Sequence, residues 1–163
     1  MKKTLLLILF LTLAGCGYHI AGKGGKMPGD LSSLNIPIFA NATHKTNIEA
    51  ILTNAFVEEM VTTVKVGREG EGTMQGVIRS YNLTAVSYSK SDVNQEYRLT
   101  VVLSVTLIKN GTVIWKDDNI SDYEDFAVNT SNVTVTKEAE EAALRKLAKD
   151  TARIVKERLL ENF

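Results

Sequence analysis

The feature that most constrains the fold is a stretch of alternation over residues 96–109, EYRLTVVLSVTLIK. Tyr97, Leu99, Val101, Leu103, Val105 and Leu107 fall on one side; Arg98, Thr100, Val102, Ser104 and Thr106 fall on the other. Successive side chains of a strand point to opposite faces, so a period of two dictates a long strand with one buried and one mostly wet face. Asn110-Gly111 follows, a pair that tolerates positive φ at both positions of a two-residue hairpin turn. The chain therefore reverses into another strand that starts at Thr112 and carries Val113, Ile114 and Trp115. Strict pairing across that turn sets Lys116 opposite Val105 and Asp118 opposite Leu103, which puts two charges on the apolar face. A bulge within residues 116–119 is expected to reset the register, after which Ile120 and Tyr123 turn inward.

The other elements supply what this sheet must bury. Residues 46–64 predict a helix: Thr46 and Glu49 have capping-box spacing, and Ile48, Ile51, Leu52, Ala55, Phe56 and Met60 form a stripe of helical period. Residues 67–72, rich in glycine, break it. Residues 137–160 predict a second helix, with Glu138, Glu140 and Glu141 near its start and Lys156 and Arg158 near its end, as the helix dipole favours. Its inner face is Ala143, Leu144, Leu147, Thr151, Ile154 and Val155. Residues 34–39 read as a first strand whose Pro37 suits an edge or a strand end. Residues 77–89 read as a second strand with Val77, Tyr81, Leu83 and Ala85 on one side. Residues 89–95 and 129–136 read as polar connections, the latter ending in a helix cap. The order β-α-β-β-β-α gives an α+β fold, a two-layer sandwich of two helices on a four-stranded mixed, mostly antiparallel sheet.

The N-terminus is of another kind. Lys2 and Lys3 precede a greasy run from Leu5 to Leu13, and Ala14-Gly15 then lead to Cys16, the only cysteine. Nine residues are too few to span a bilayer as a helix, which takes roughly 20; the pattern is an export signal. A lone cysteine makes no internal disulfide and has no ligand set around it. The expected organisation is a signal over residues 1–15, a flexible lead over 16–31 with the glycine-rich AGKGGKMPGD inside it, and one domain over 32–163. That lead lacks the spacing of a phosphate loop and follows no predicted strand.

Charge and residue types narrow the function classes. The full chain is neutral, and without Lys2 and Lys3 its 19 basic side chains fall to 17 against 19 acidic, a net charge of −2. No global basic excess points to nucleic acid. His19 and His44, the only histidines, have no carboxylate or cysteine at ligand spacing, so no metal site is expected. Glu58-Glu59, Asp117-Asp118 and Glu140-Glu141 are adjacent pairs that diverge on a helix or strand. No nucleophile elbow is present. No catalytic residue, no cofactor and no enzymatic activity are expected.

Leu13-Ala14-Gly15-Cys16 resembles the lipobox of bacterial lipoproteins. That resemblance implies that Cys16 carries a diacylglyceryl group and an amide-linked acyl chain such as palmitate. With two or more buried chains the anchor is stable, and Gly17 favours the outer membrane over the inner. Together, Cys16-Gly17-Tyr18 with Gly22 behind it, Asn41-Ala42-Thr43 after the first strand, Tyr97 in the third, and the element order resemble the lipopolysaccharide-assembly lipoprotein family LptE. The resemblance implies a plug and assembly factor inside the outer-membrane β-barrel LptD, held on the periplasmic side, that aids delivery of lipopolysaccharide to the outer leaflet. It also implies lipopolysaccharide contacts at the basic residues nearest the family's positions, Lys90 and Lys137. The wet strand face (Thr100, Ser104, Thr106, with Asn82 and Thr84) suits the polar lumen of a large barrel. Two alternatives remain open: a free lipid-binding carrier, which needs an apolar cavity, and a pilot or scaffold lipoprotein of another envelope complex. Replacement Cys16→Ser is expected to leave the precursor without lipid and mislocalised; incorporation of labelled fatty acid by that variant would refute the anchor.

Overall fold

The structure of the protein, a computed structural model, describes residues 26–88 and 94–161. It is a two-layer α+β sandwich, with two helices on one face of a mixed sheet. The strands are β1 (Ser33–Asn35), β2 (Ala40–Asn41), β3 (Lys65–Val66), β4 (Gly72–Tyr88), β5 (Asn94–Lys109) and β6 (Thr112–Ala127). The helices are α1 (Ile48–Met60) and α2 (Val133–Glu161). The sheet runs β3-β1-β4-β5-β6, with β2 also against β4. The last three strands are antiparallel, whereas β1 and β2 run parallel to β4 and β3 runs parallel to β1. Six strands replace the expected four because Pro37, which has no N–H to give a ladder, divides the first strand into two short ones, and the two-residue β3 is too short to leave a periodic signal.

β5 is the centre. Its inner column of Leu99, Val101, Leu103, Val105 and Leu107 is fully buried, and it pairs with β4 on one side and β6 on the other. Asn110 (φ 50°) and Gly111 (φ 78°) make the expected hairpin turn. β6 takes two irregularities. One, beside Ile114, sets Trp115 opposite Leu107; the other, at Asp118 and Asn119, sets Ile120 opposite Leu103. The second lies within the expected segment, and Ile120 is buried as expected. Tyr123, however, faces outward and is 55% exposed, because it pairs with the outward Thr100. Phe126, opposite Tyr97, turns inward in its place. Val77 is corrected in the same way: it pairs with Ser104 on the outer face, and an irregularity at Arg79 brings Tyr81, Leu83 and Ala85 onto the inner one.

The helices start elsewhere than their sequence signals suggest. α1 has no capping box. Asn47 stands at its N-cap in the left-handed region without a side-chain cap, and Glu49 instead accepts a bond from Asn41 Nδ2 at 3.1 Å. α2 begins at Val133, four residues before Lys137, because Asn132 Oδ1 accepts from the Thr134 and Val135 amides at 3.0 and 3.3 Å. Those bonds satisfy two of the first-turn donors and outweigh the weak helix propensity of Val133, Thr134 and Val135. Ala143, Leu144, Leu147, Thr151 and Val155 are buried as expected and Ile154 is half-buried. Ala148 and Ala152, four residues apart and fully buried, add small side chains to the inner face of α2. Residues 26–31 are not a loose lead. Met27 and Leu31 are each 4% exposed, Pro28–Asp30 form a 3-10 turn, and Lys109 Nζ donates to Gly29 O at 2.7 Å.

Beneath α1, Phe39 packs edge-on against Phe56 with ring centroids 5.0 Å apart. Its amide donates to Thr53 Oγ1 at 2.9 Å, and that hydroxyl donates to Glu49 O at 2.6 Å. Gly76 leaves the room that the Phe39 ring fills; a Cβ there would overlap the ring. Gly76→Ala is expected to lower stability by about 1–3 kcal/mol through overpacking, measured by urea denaturation. Adding Phe39→Leu should recover part of the loss, and equal midpoints for wild type and Gly76→Ala would show that the ring can move aside.

Candidate functional site

Where the start of α1, the first half of α2 and the middle of β4 meet, the surface opens into a cleft of about 530 Å³. Ile48, Ile51 and Leu144 give it an apolar floor, and Tyr81 forms a wall. The rim holds Lys45, Lys137 and Arg145, with Glu140 and Glu141 between them. The helical repeat places these rim residues: Lys137, Glu140, Glu141 and Arg145 stand three, four and eight residues apart on α2. Lys45 arrives on the turn that leaves β2. Asn41 Nδ2 donates to Lys45 O at 2.7 Å, and Asn41 Oδ1 accepts from the Thr43 amide at 2.9 Å.

Glu140 is the hub. One of its carboxylate oxygens accepts from Lys45 Nζ at 2.7 Å and from the Tyr81 hydroxyl at 2.5 Å, and its side chain is only 14% exposed. Burial is the largest single influence and raises the pKa of this carboxyl, but the bonds from Lys45 and Tyr81 together outweigh it and hold the group below its usual range. Burial, followed by the bond to Glu140, pushes the Tyr81 phenol well above its ordinary value. The Lys45 ammonium also stands 5.4 Å from the Tyr81 ring centroid, a weak cation–π contact. Arg145 pairs with Glu141 at 2.5 Å in the open. Lys137 is exposed and has no hydrogen bond or ion pair within reach among the described residues. Two of the three rim cations are neutralised by the two acids, so the cleft offers an apolar floor beside one uncommitted ammonium, that of Lys137, an arrangement that can meet an amphipathic anion.

Of the three residues singled out from sequence, Lys137 is thus at the rim of the cleft. Cys16 and Lys90 lie outside the described residues, as does the signal segment. The strand ends that flank Lys90, at Tyr88 and Asn94, pair with each other at the end of the sheet where β6 reaches Ala127. Lys45, Tyr81, Glu140 and Arg145 were not foreseen as a group. The capping-box reading hid the turn that carries Lys45, and Glu140 showed only as one of three acids near a helix start.

The wet face of the sheet satisfies its own polar groups. Ser104, 3% exposed, donates to Asp118 Oδ1 at 2.7 Å, and Asp118 also pairs with Lys116 at 2.7 Å and with Arg79 at 3.8 Å. The Lys116 bond and then the Ser104 bond hold that carboxyl below its ordinary value. Arg98 grips Asp125 through two bonds of 2.7 and 2.8 Å and lies 4.0 Å from the Tyr123 ring centroid.

A carboxyl depressed on folding stabilises the fold above its unfolded value, about 4.3 for Glu, and loses that contribution as pH falls through the folded value. Glu140→Gln is therefore expected to cost about 1 kcal/mol at pH 7, the scale of a partly exposed charge-assisted bond. The variant and the wild type should then converge in stability as pH falls from the unfolded value through the lower folded one. Urea titrations across pH check this, and parallel curves would remove Glu140 from that role.

The sandwich is shared with solved structures. It superposes on a Caulobacter crescentus protein with a TM-score of 0.56 at 11% identity, covering 76% of this chain and 88% of that one. Rare lipoprotein B of Shewanella oneidensis gives 0.50 at 14% identity, covering 80% and 92%. A minor lipoprotein of Acinetobacter baumannii gives 0.50 at 11%, covering 80% and 92%. At these identities the likeness is one of fold. No curated protein sequence matches the chain. The sequence profile of LptE, described as lipopolysaccharide-assembly, matches residues 31–159, which span β1 to the last turn of α2 and so include the cleft. The chain therefore belongs to the LptE family of lipopolysaccharide-assembly proteins.

Proposed function

We propose that the protein is an outer-membrane lipoprotein, held on the periplasmic side by acyl chains on Cys16, that plugs and helps to assemble an LptD-type β-barrel. In that place it assists delivery of lipopolysaccharide to the outer leaflet. The family match over residues 31–159 carries this reading. The role asks for shape, hydrogen bonding and charge, and for no catalysis by the chain itself.

Three features of the molecule support it. The interior is filled: Leu34, Leu52, Met60, Met74, Ile78, Leu99, Leu103 and Leu107 are fully buried, which leaves a carrier little room for acyl chains between the layers. The outer sheet face carries Arg98, Thr100, Thr106, Asn82, Thr84, Lys116 and Asp118 among a few apolar side chains, a mostly polar surface that suits the wet lumen of a large barrel. The cleft sets the uncommitted ammonium of Lys137 beside an apolar floor, a fit for a phosphorylated lipid, with lysine acting as a compact point charge. Lys90 completes the pair of lipopolysaccharide contacts in this reading.

Mature protein extracted from membranes in mild detergent is expected to bring down an LptD-type barrel in equal amount, identified by mass spectrometry. Recovery of bound lipid without a barrel would favour the carrier and overturn the plug. The double variant Lys90→Asp, Lys137→Asp should still recover the barrel yet hold severalfold less lipopolysaccharide, and an unchanged amount would return both lysines to the solvated surface.

A further inference from the structure

The sheet has two edges, and they are built differently. β6 forms one of them. It carries Lys116, Asp117, Asp118, Asp122, Glu124 and Asp125 and two irregularities in register, the devices by which an edge refuses a further strand. The other edge is composite: β1 lies outside the start of β4, and β2 pairs with Val77 and Ile78. Beyond Ile78, no strand among the described residues covers β4, although β4 runs on to Tyr88 against β5. Between the irregularities at Arg79 and Val86 lies an unbroken run, residues 80–85, SYNLTA, without charge, proline or glycine.

The side chains beside this open edge alternate. Tyr81, Leu83 and Ala85 share the inner face with Val101, Leu99 and Tyr97, while Asn82 and Thr84 stand exposed on the outer face. Leu83 is 43% exposed, although Leu99 directly opposite is fully buried. Apolar surface is left uncovered on the side where another strand would lie.

We propose that residues 80–85 of β4 are a strand-addition site that accepts a short, uncharged, extended segment of another polypeptide in the barrel assembly. Its backbone would take up the free N–H and C=O groups, and its alternate side chains would cover Leu83. This inference rests on the barrel-partner reading above. A second copy of this chain meets an obstacle where the run would pair with itself. Two-fold antiparallel pairing centred between Asn82 and Leu83 would lay the mate's residues 87 and 88 where β2 already pairs with Val77 and Ile78. A lone segment from a different chain meets no such obstacle.

Hydrogen exchange on the mature chain, alone and in the purified barrel complex, tests the site. In the free protein the outward amides within residues 80–85 should exchange at least tenfold faster than those bonded to β5, and should become protected in the complex. Leu83→Lys, at a position already part-exposed, should keep the circular dichroism and melting of the wild type while the complex is recovered severalfold less. Val113→Lys, beside the opposite edge, should recover it normally. A recovered barrel with unprotected edge amides would overturn this site and leave the plug standing. Failure to recover any barrel would overturn both readings. Protection that grows with protein concentration in the free chain, together with a dimer in sedimentation, would assign the edge to a second copy instead.

Discussion

The structure depends on one column of side chains, the inner face of β5. Leu99, Val101, Leu103, Val105 and Leu107 are all removed from water, and at about 25 cal/mol per Å² of apolar surface such a column dominates the local energetics. It is flanked by a long strand on each side, so its backbone groups are satisfied within the sheet. Both helices pack on that face, and the opposite one must then meet solvent or a polar partner. Its groups respond by pairing with one another: Ser104 with Asp118, Arg98 with Asp125, Asn82 with Ser80. The two faces of the molecule follow from a single alternation.

The position of α2 has a second cause. The irregularities in β6 turn Asp117, Asp122 and Glu124 inward, opposite Val105, Val101 and Leu99. Acids on a core face would be costly without partners, and α2 supplies them. Arg158 meets Asp117 at 2.6 Å, Thr151 meets Asp122 at 3.1 Å, and Lys146 meets Glu124 at 2.5 Å. Lys156, half-buried, pairs with Glu59 and joins the helices. These pairs line the margin of the core along much of α2, so they fix its rotation and its slide along β6. That placement also presents Lys137, Glu140 and Arg145 to the cleft.

What could be read from the sequence divides along physical lines. The period-two strand, the Asn-Gly turn and the helical stripes are local signals. They located β5, its hairpin and both helices, and with them the two-layer architecture. Register was only half legible. The conflict between Lys116, Asp118 and the apolar face required a bulge, but nothing local revealed that a second irregularity sits beside Ile114, and the orientation of Tyr123 follows from both. Short strands escaped because two or three residues carry no period. The capping box failed at α1 because Asn41, six residues before the N-cap, holds Glu49 instead. Lys137 is legible only through a family resemblance; the network of Lys45, Tyr81 and Glu140 around it is tertiary, joining residues up to 95 apart in the chain.

Asn41 links the cleft to the open sheet edge. Its carboxamide donates to Lys45 O and to Glu49, and accepts from the amide and hydroxyl of Thr43. Those bonds close a tight turn directly after β2, the last strand among the described residues that covers β4 on this side. Had the chain continued straight, it would have paired with residues 80–85 and filled the sheet edge. Because it turns away, it exposes that edge and carries Lys45 across to Glu140, where the cleft begins. Asn41-Ala42-Thr43 thus acts through geometry: a side chain with donors and an acceptor on one planar group can satisfy a turn that a helix and a strand both abandon. Among the described residues, the cleft and the uncovered stretch of β4 thus arise from the same change of direction.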